Sequence, residues 1–133
     1  MAARRRLLIA VSHRAQASSV SHERMAYVWS WLCAFAFTQL VEIPIYTVGL
    51  RVSLLAAFGA SAITHPILWF VLFRFVPLPY VWLIVVGETF AVAVEAAYFA
   101  IVFRRRRALL WSLVANGASF GIGMLSRWLF GAP

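Results

Sequence analysis

Four long runs of mostly apolar residues follow one another along the chain, separated by short polar or proline-containing breaks. The runs cover residues 25–50, 52–76, 80–103 and 108–130. A hydrocarbon core about 30 Å thick requires about 20 predominantly apolar helical residues, so each run predicts one transmembrane helix. Because the connections are very short, consecutive helices are expected to be antiparallel neighbours. The pattern therefore predicts an all-α integral membrane protein, an up-and-down four-transmembrane-helix bundle.

The composition supports a membrane protein and excludes a soluble domain. Hydrophobic residues make up 64% of the chain, and the mean hydropathy is +0.87. All 12 basic residues are arginine and the formal net charge is +8, which in so apolar a chain indicates membrane flanks and not nucleic-acid binding. The single cysteine, Cys33, excludes an intramolecular disulfide. The lipid bilayer is thus the first partner that the sequence predicts.

The first 24 residues differ from the rest and contain five of the arginines. We predict two parts: a basic, mobile or surface-lying tail over residues 1–24, and a four-helix transmembrane domain over residues 25–133. An alternative is that Met25 is the natural start. The tail and the run at 104–107 should face opposite sides of the membrane. The side with the tail then has seven arginines and the other side five; if the chain starts at Met25, the counts are two and five. The count from Met25 favours a cytoplasmic position for residues 104–107, and insertion of the protein in both orientations is the alternative.

Polar and ionisable residues occur inside the predicted spans, where a charged side chain costs about 2.5 to 3.5 kcal/mol on insertion scales. The ionisable ones are Glu42, His65, Glu88 and Glu95. With a rise of about 1.5 Å per residue, Glu42, Glu95 and Asn116 lie about 13 Å from the same membrane face, and His65 about 20 Å. Four helices thus bring a polar side chain to a similar level, which predicts a cluster inside the bundle.

Spacing along the helices supports inward-facing polar stripes. Glu88 and Glu95 are seven residues apart, on one helix face. The last helix carries a stripe of small and polar residues that suits close helix packing in lipid: Ser112, Asn116, Ser119 and Gly123. Ser61, Thr64 and His65 share a face of the second helix. Pro44 and Pro66 each border a polar position and are expected to disturb the helix there.

Two interpretations of the cluster stay open. A structural one has neutral carboxyls hydrogen-bonded to Asn116 or Ser119 and holding the helices in register. A functional one has a proton or cation bound by the residues Glu42, His65, Glu88, Glu95 and Asn116. A divalent metal is a further alternative for Glu42, His65 and Glu95, since carboxylate and imidazole suit zinc, iron or manganese.

Four segments, "EIPIY", "THPILWF", "ETFAVAVEAAYF" and "SLVANGASFGIGML", occur in this order along the chain. The pattern resembles a group of small uncharacterised prokaryotic four-helix membrane proteins. The resemblance implies the four-helix architecture and a multi-pass protein of the prokaryotic inner (cytoplasmic) membrane. It implies no activity.

Two classes of function follow from these observations. The first is transport or conduction of a proton or cation at Glu42 and Glu95, in a homodimer because four short helices make a thin wall for a pore. The second is a non-catalytic subunit or assembly factor of a larger membrane complex. An intramembrane metal-dependent enzyme is a third, and it lacks an identifiable nucleophile. We predict no resident cofactor and no catalytic residue.

Overall fold

The computed structural model describes the backbone of residues 2–131 and the side chains of residues 20–131. In this part of the chain all regular structure is helical: α1 (Ala2–Gly49), α2 (Leu54–Ile67), a π-helical segment (Leu68–Leu72), α3 (Phe73–Phe75), α4 (Tyr80–Ile101) and α5 (Ala108–Phe130). Four stretches are long and apolar enough to cross a membrane: Val20–Gly49, Leu54–Phe75, Tyr80–Ile101 and Ala108–Phe130. Over the described residues, the prediction of an all-helical protein with four such helices is confirmed.

The first helix is much longer than a single span. α1 has 48 residues and continues through Pro44 without a break, so the disturbance expected at this proline does not interrupt the helix. One turn later, Oγ1 of Thr47 donates to the carbonyl of Ile43 at 2.8 Å. The chain divides into two units, Met1–Cys33 and Ala34–Pro133. The backbone of residues 2–33 is helical, and the side chains of residues 1–19, which include four of the tail arginines, lie outside the described residues. A domain boundary after residue 24 stays a prediction.

The second candidate span begins with a defined cap and changes its winding near its proline. Ser53 is the N-cap of α2, and its hydroxyl accepts a hydrogen bond from the N–H of Ala56 at 3.2 Å. Pro66 lies in the last turn of α2, directly before the π-helical segment. Because proline lacks an N–H and crowds the preceding turn, a helix commonly changes its winding at such a position. The disturbance expected at Pro66 therefore takes the form of a π-helical turn.

Small residues allow the helices of the second unit to approach each other closely. A Cβ added at Gly49 of α1 would lie 2.3 Å from Cδ2 of Trp111 on α5. A Cβ added at Gly59 of α2 would lie 2.9 Å from the Tyr98 hydroxyl on α4. Small interfacial residues are what helix packing in lipid favours, because backbones can then come together. The core between the helices consists of Tyr46, Leu50, Ala57, Ala60, Phe99, Ala108 and Ala115.

The two loops at one end of this unit share an unusual backbone conformation. Arg51, after α1, and Arg104, after α4, both have a φ of 52°, in the left-handed region that favours glycine. The side chain of Arg105 donates from Nη2 to the carbonyl of Arg51 at 3.0 Å. This hydrogen bond connects the α1–α2 loop with the α4–α5 loop.

Candidate functional site

Two glutamates are buried between the helices of the second unit. Glu42 on α1 and Glu95 on α4 are each 1% exposed. Glu42 accepts a hydrogen bond from the hydroxyl of Ser61 on α2 and another, at 2.8 Å, from the hydroxyl of Ser119 on α5. Each carboxyl oxygen of Glu42 therefore has a hydroxyl partner on a different helix.

Glu95 has three partners, on the three other helices. Its Oε1 accepts from the hydroxyl of Thr64 on α2 at 2.8 Å. Its Oε2 accepts from Nδ2 of Asn116 on α5 at 2.8 Å and from the hydroxyl of Tyr46 on α1. Asn116 Nδ2 also approaches the Tyr46 hydroxyl at 3.3 Å and donates to the carbonyl of Ser112 at 3.0 Å. A single hydrogen-bonded network thus connects α1, α2, α4 and α5.

The network is buried, and the hydrogen bonds that form it include no arginine. Tyr46 and Phe99 are completely buried, with ring centroids 4.6 Å apart, and each lies four residues after one of the two glutamates. The arginines whose side chains the structure describes are all exposed. An ionised carboxylate in such a place would have only neutral hydroxyl and amide donors to compensate its charge. Proton binding is the direct way to remove that charge.

The two glutamates occupy equivalent positions in two successive helical hairpins, one formed by α1 and α2 and the other by α4 and α5. A spacing of 53 residues relates Glu42 to Glu95, and the same spacing relates Tyr46 to Phe99 and Arg51 to Arg104. Both glutamates and both aromatic residues are buried, and both arginines have the left-handed conformation. The donors of the two glutamates are not equivalent. Phe99 lacks the hydroxyl that Tyr46 donates to Glu95, and the remaining partners do not follow the 53-residue spacing. Glu42 has two donors and Glu95 has three.

The structure places His65 next to aromatic rings. His65 is 8% exposed, and its ring centroid lies 5.3 Å from that of Phe35 and 6.1 Å from that of Trp69. Among the residues described, no group of three or more histidine, cysteine or acidic side chains is arranged to hold a metal ion. The set Glu42, His65 and Glu95 predicted as a metal alternative is thus not brought together as a ligand group.

The remaining predicted residues fall into different surroundings. Glu88 is half-buried on α4, two turns before Glu95, and the hydrogen bonds described above do not include it. Ser119, predicted as a packing residue, is a direct partner of Glu42. Ser112 is fully buried, and its backbone carbonyl accepts a hydrogen bond from Nδ2 of Asn116. A Cβ added at Gly123, which was predicted as a packing residue, would lie 3.6 Å from the Phe37 ring on α1.

Three hydrogen-bond partners of the glutamates were not predicted as site residues: Tyr46, Ser61 and Thr64. A signal for Tyr46 exists in the sequence, since it lies four residues after Glu42 and therefore on the same face of α1. Ser61 and Thr64 share a helix face with His65, which is the ionisable residue on that face and therefore the stronger candidate from the sequence. Their hydroxyls, and not the imidazole, reach the two carboxyls.

Comparisons with known protein families, with curated proteins and with solved structures find no match for this chain. The resemblance to small prokaryotic four-helix membrane proteins stays a prediction.

Proposed function

We propose that this chain is a multi-pass protein of the prokaryotic cytoplasmic membrane that binds protons at Glu42 and Glu95 and couples their binding to transport or conduction. The observation that carries the proposal is the burial of both carboxyls in one network to which four helices contribute. Ionisable groups inside candidate spans are costly, and they commonly mark proton and ion pathways. Two of them at equivalent positions of two hairpins are more than helix packing requires.

The donors in the network favour a proton over a metal or alkali cation. Hydroxyl groups and the NH2 group of Asn116 point their hydrogens at the carboxyl oxygens. A bound cation needs oxygen lone pairs directed at it, so the side chains of Thr64 and Ser119 would have to rotate away from the glutamates. A proton needs only the hydrogen of one hydroxyl to turn, because a protonated carboxyl donates to a hydroxyl that rotates to accept.

Coupling to helix movement follows from the connectivity of the network. Ser61 and Thr64 come from α2, and Ser119 and Asn116 come from α5. When a carboxyl gains a proton, its hydrogen bonds to both helices change strength together, since bonds to an ionised acceptor are about twice as strong. The proton therefore alters contacts of α2 and α5 simultaneously. We expect this to shift the balance between two arrangements of the helices.

Proton flux into liposomes tests the proposal. The purified full chain is reconstituted with a pH-sensitive dye inside, and a potassium diffusion potential drives proton entry. We expect flux above that of empty liposomes, and loss of most of it in Glu42→Gln and in Glu95→Gln. Glu23→Gln is the matched control, because it removes an exposed carboxyl outside the network.

Two outcomes would contradict the proposal. The first is no flux above empty liposomes with the natural chain at any imposed potential. The second is equal flux in the natural chain and in both glutamine variants. If the glutamine variants are also as stable as the natural chain, the network is a neutral packing device. That result would favour the non-catalytic subunit of a larger membrane complex, and the search would turn to partners that co-purify in stoichiometric amounts.

A further inference from the structure

Five arginines lie in the two loops that the Arg105 hydrogen bond connects. They are Arg51 in the α1–α2 loop and Arg104, Arg105, Arg106 and Arg107 in the α4–α5 loop, and all five are exposed. We call this group the arginine face. The acidic residues of the chain lie elsewhere: Glu42, Glu88 and Glu95 inside candidate spans, and Glu23 near the start of the first span. Within the described side chains, the arginine face has no carboxylate to neutralise it.

Two helix ends beside the arginine face favour its positive charge, and a third favours an anion. Arginines that follow the C-termini of α1 and α4 are favourable there, because a helix C-terminus carries partial negative charge. Residues 104–107 also directly precede α5, whose N-terminus carries partial positive charge and favours an anion. Arg107 is the N-cap of α5 and provides no side-chain capping hydrogen bond. An anion from outside the chain would satisfy both the guanidinium groups and this helix end.

The backbone conformation indicates that the arginine side chains themselves matter. Arg51 and Arg104 both have φ of 52°, a conformation that glycine adopts without the steric cost a side chain brings. Arginine occupies both positions in spite of that cost, at equivalent points of the two hairpins. A strained residue that persists at two matched positions suggests a role that glycine cannot fill.

We propose that the arginine face binds the phosphate group of an anionic phospholipid. The face directly follows the ends of α1 and α4 and directly precedes α5, the level at which the phosphates of a bilayer lie beside helices that span it. Guanidinium groups present paired N–H donors that match phosphate oxygens. This binding site is separate from the glutamate network, and it does not depend on proton binding.

The test measures the melting temperature of the detergent-purified full chain as lipid is titrated in. Phosphatidylglycerol is the anionic probe, phosphatidylcholine is the zwitterionic comparison, and inorganic phosphate represents a free anion. The variant Arg51→Gly/Arg104→Gly removes two guanidinium groups and relieves both left-handed residues. Arg74→Gln/Arg127→Gln is the matched control, because it removes two exposed arginines outside the face. Should the glycine variant not fold, Arg106→Gln/Arg107→Gln replaces it.

We expect phosphatidylglycerol to raise the melting temperature of the natural chain more than phosphatidylcholine does. The apparent affinity for phosphatidylglycerol should fall about 30-fold in Arg51→Gly/Arg104→Gly and stay near its natural value in the control. Without lipid, the glycine variant should melt no lower than the natural chain, so that a lost response reports binding and not unfolding. Equal weakening in both double variants would overturn the proposal, as would equal shifts with both lipids. An equal shift with inorganic phosphate would overturn the assignment to lipid.

Discussion

The hydroxyl of Tyr46 offers the sharpest test of the network, because a single atom can be removed there. Tyr46→Phe deletes the donor to Glu95 and keeps the buried ring that packs on Phe99 at 4.6 Å. Hydrogen bonds between helices in membranes contribute about 0.6 kcal/mol on average and up to about 1.7. Bonds to an ionised group contribute about 1.5 to 3 kcal/mol. We therefore expect a loss of about 0.6 kcal/mol when Glu95 is neutral and about 2 kcal/mol when it is ionised.

The assay is reversible unfolding of the purified chain in mixed micelles, measured at acidic and at alkaline pH. Tyr46→Phe should cost more at alkaline pH, since the phenol then donates to a carboxylate. Tyr98→Phe is the matched control: it makes the same chemical change on α4, at a hydroxyl that lies beside Gly59. In the background of Glu95→Gln, the cost of Tyr46→Phe should fall to the lower value at both pH values. The reasoning is refuted if Tyr46→Phe costs the same with and without Glu95.

Three further predictions concern packing and helix ends, and unfolding measurements in the same micelles test each. Gly49→Ala should destabilise the chain by about 1 to 3 kcal/mol, because its Cβ would lie 2.3 Å from the indole of Trp111; an unchanged stability would contradict this close contact. Gly117→Ala should be neutral or stabilise by up to about 1 kcal/mol, since no atom lies within 4 Å of the added Cβ. Ser53→Ala should cost about 1 kcal/mol by removing the acceptor for the N–H of Ala56, and Ser53→Asp should restore it.

The four-helix pattern was predictable because the length and composition that suit a helix to cross a bilayer can be read from each segment independently of the others. The predicted runs at 80–103 and 108–130 agree closely with α4 (Tyr80–Ile101) and α5 (Ala108–Phe130). The N-terminal limit of α1 was not predictable in this way, because a helix can continue beyond an apolar run when its polar residues favour helical winding. The π-helical turn after Pro66 was predicted only as a disturbance. A proline in the sequence shows that one backbone hydrogen bond is lost, but it does not show how the helix adjusts.

The candidate site was predicted in part. Glu42, Glu95 and Asn116 were expected at one level because depth depends only on the rise per residue, and the structure brings Glu95 and Asn116 into contact. Depth does not specify rotation of a helix about its axis, and rotation decides which neighbour a side chain meets. For that reason His65, close in depth, packs against Phe35 and Trp69, while Thr64, its neighbour in sequence, reaches Glu95.

The sequence by itself determined that the chain has four helices suited to a membrane, that glutamates lie within them, and that arginines accumulate at their ends. These properties are sums over single residues, and hydropathy and spacing record them directly. Only the tertiary structure decided which donors meet each carboxyl and that the two loops of the arginine face touch. It also revealed the 53-residue correspondence between the hairpins, because equivalent residues can keep their burial and backbone conformation while the residues between them diverge. Contacts across helices depend on packing, which no single helix specifies.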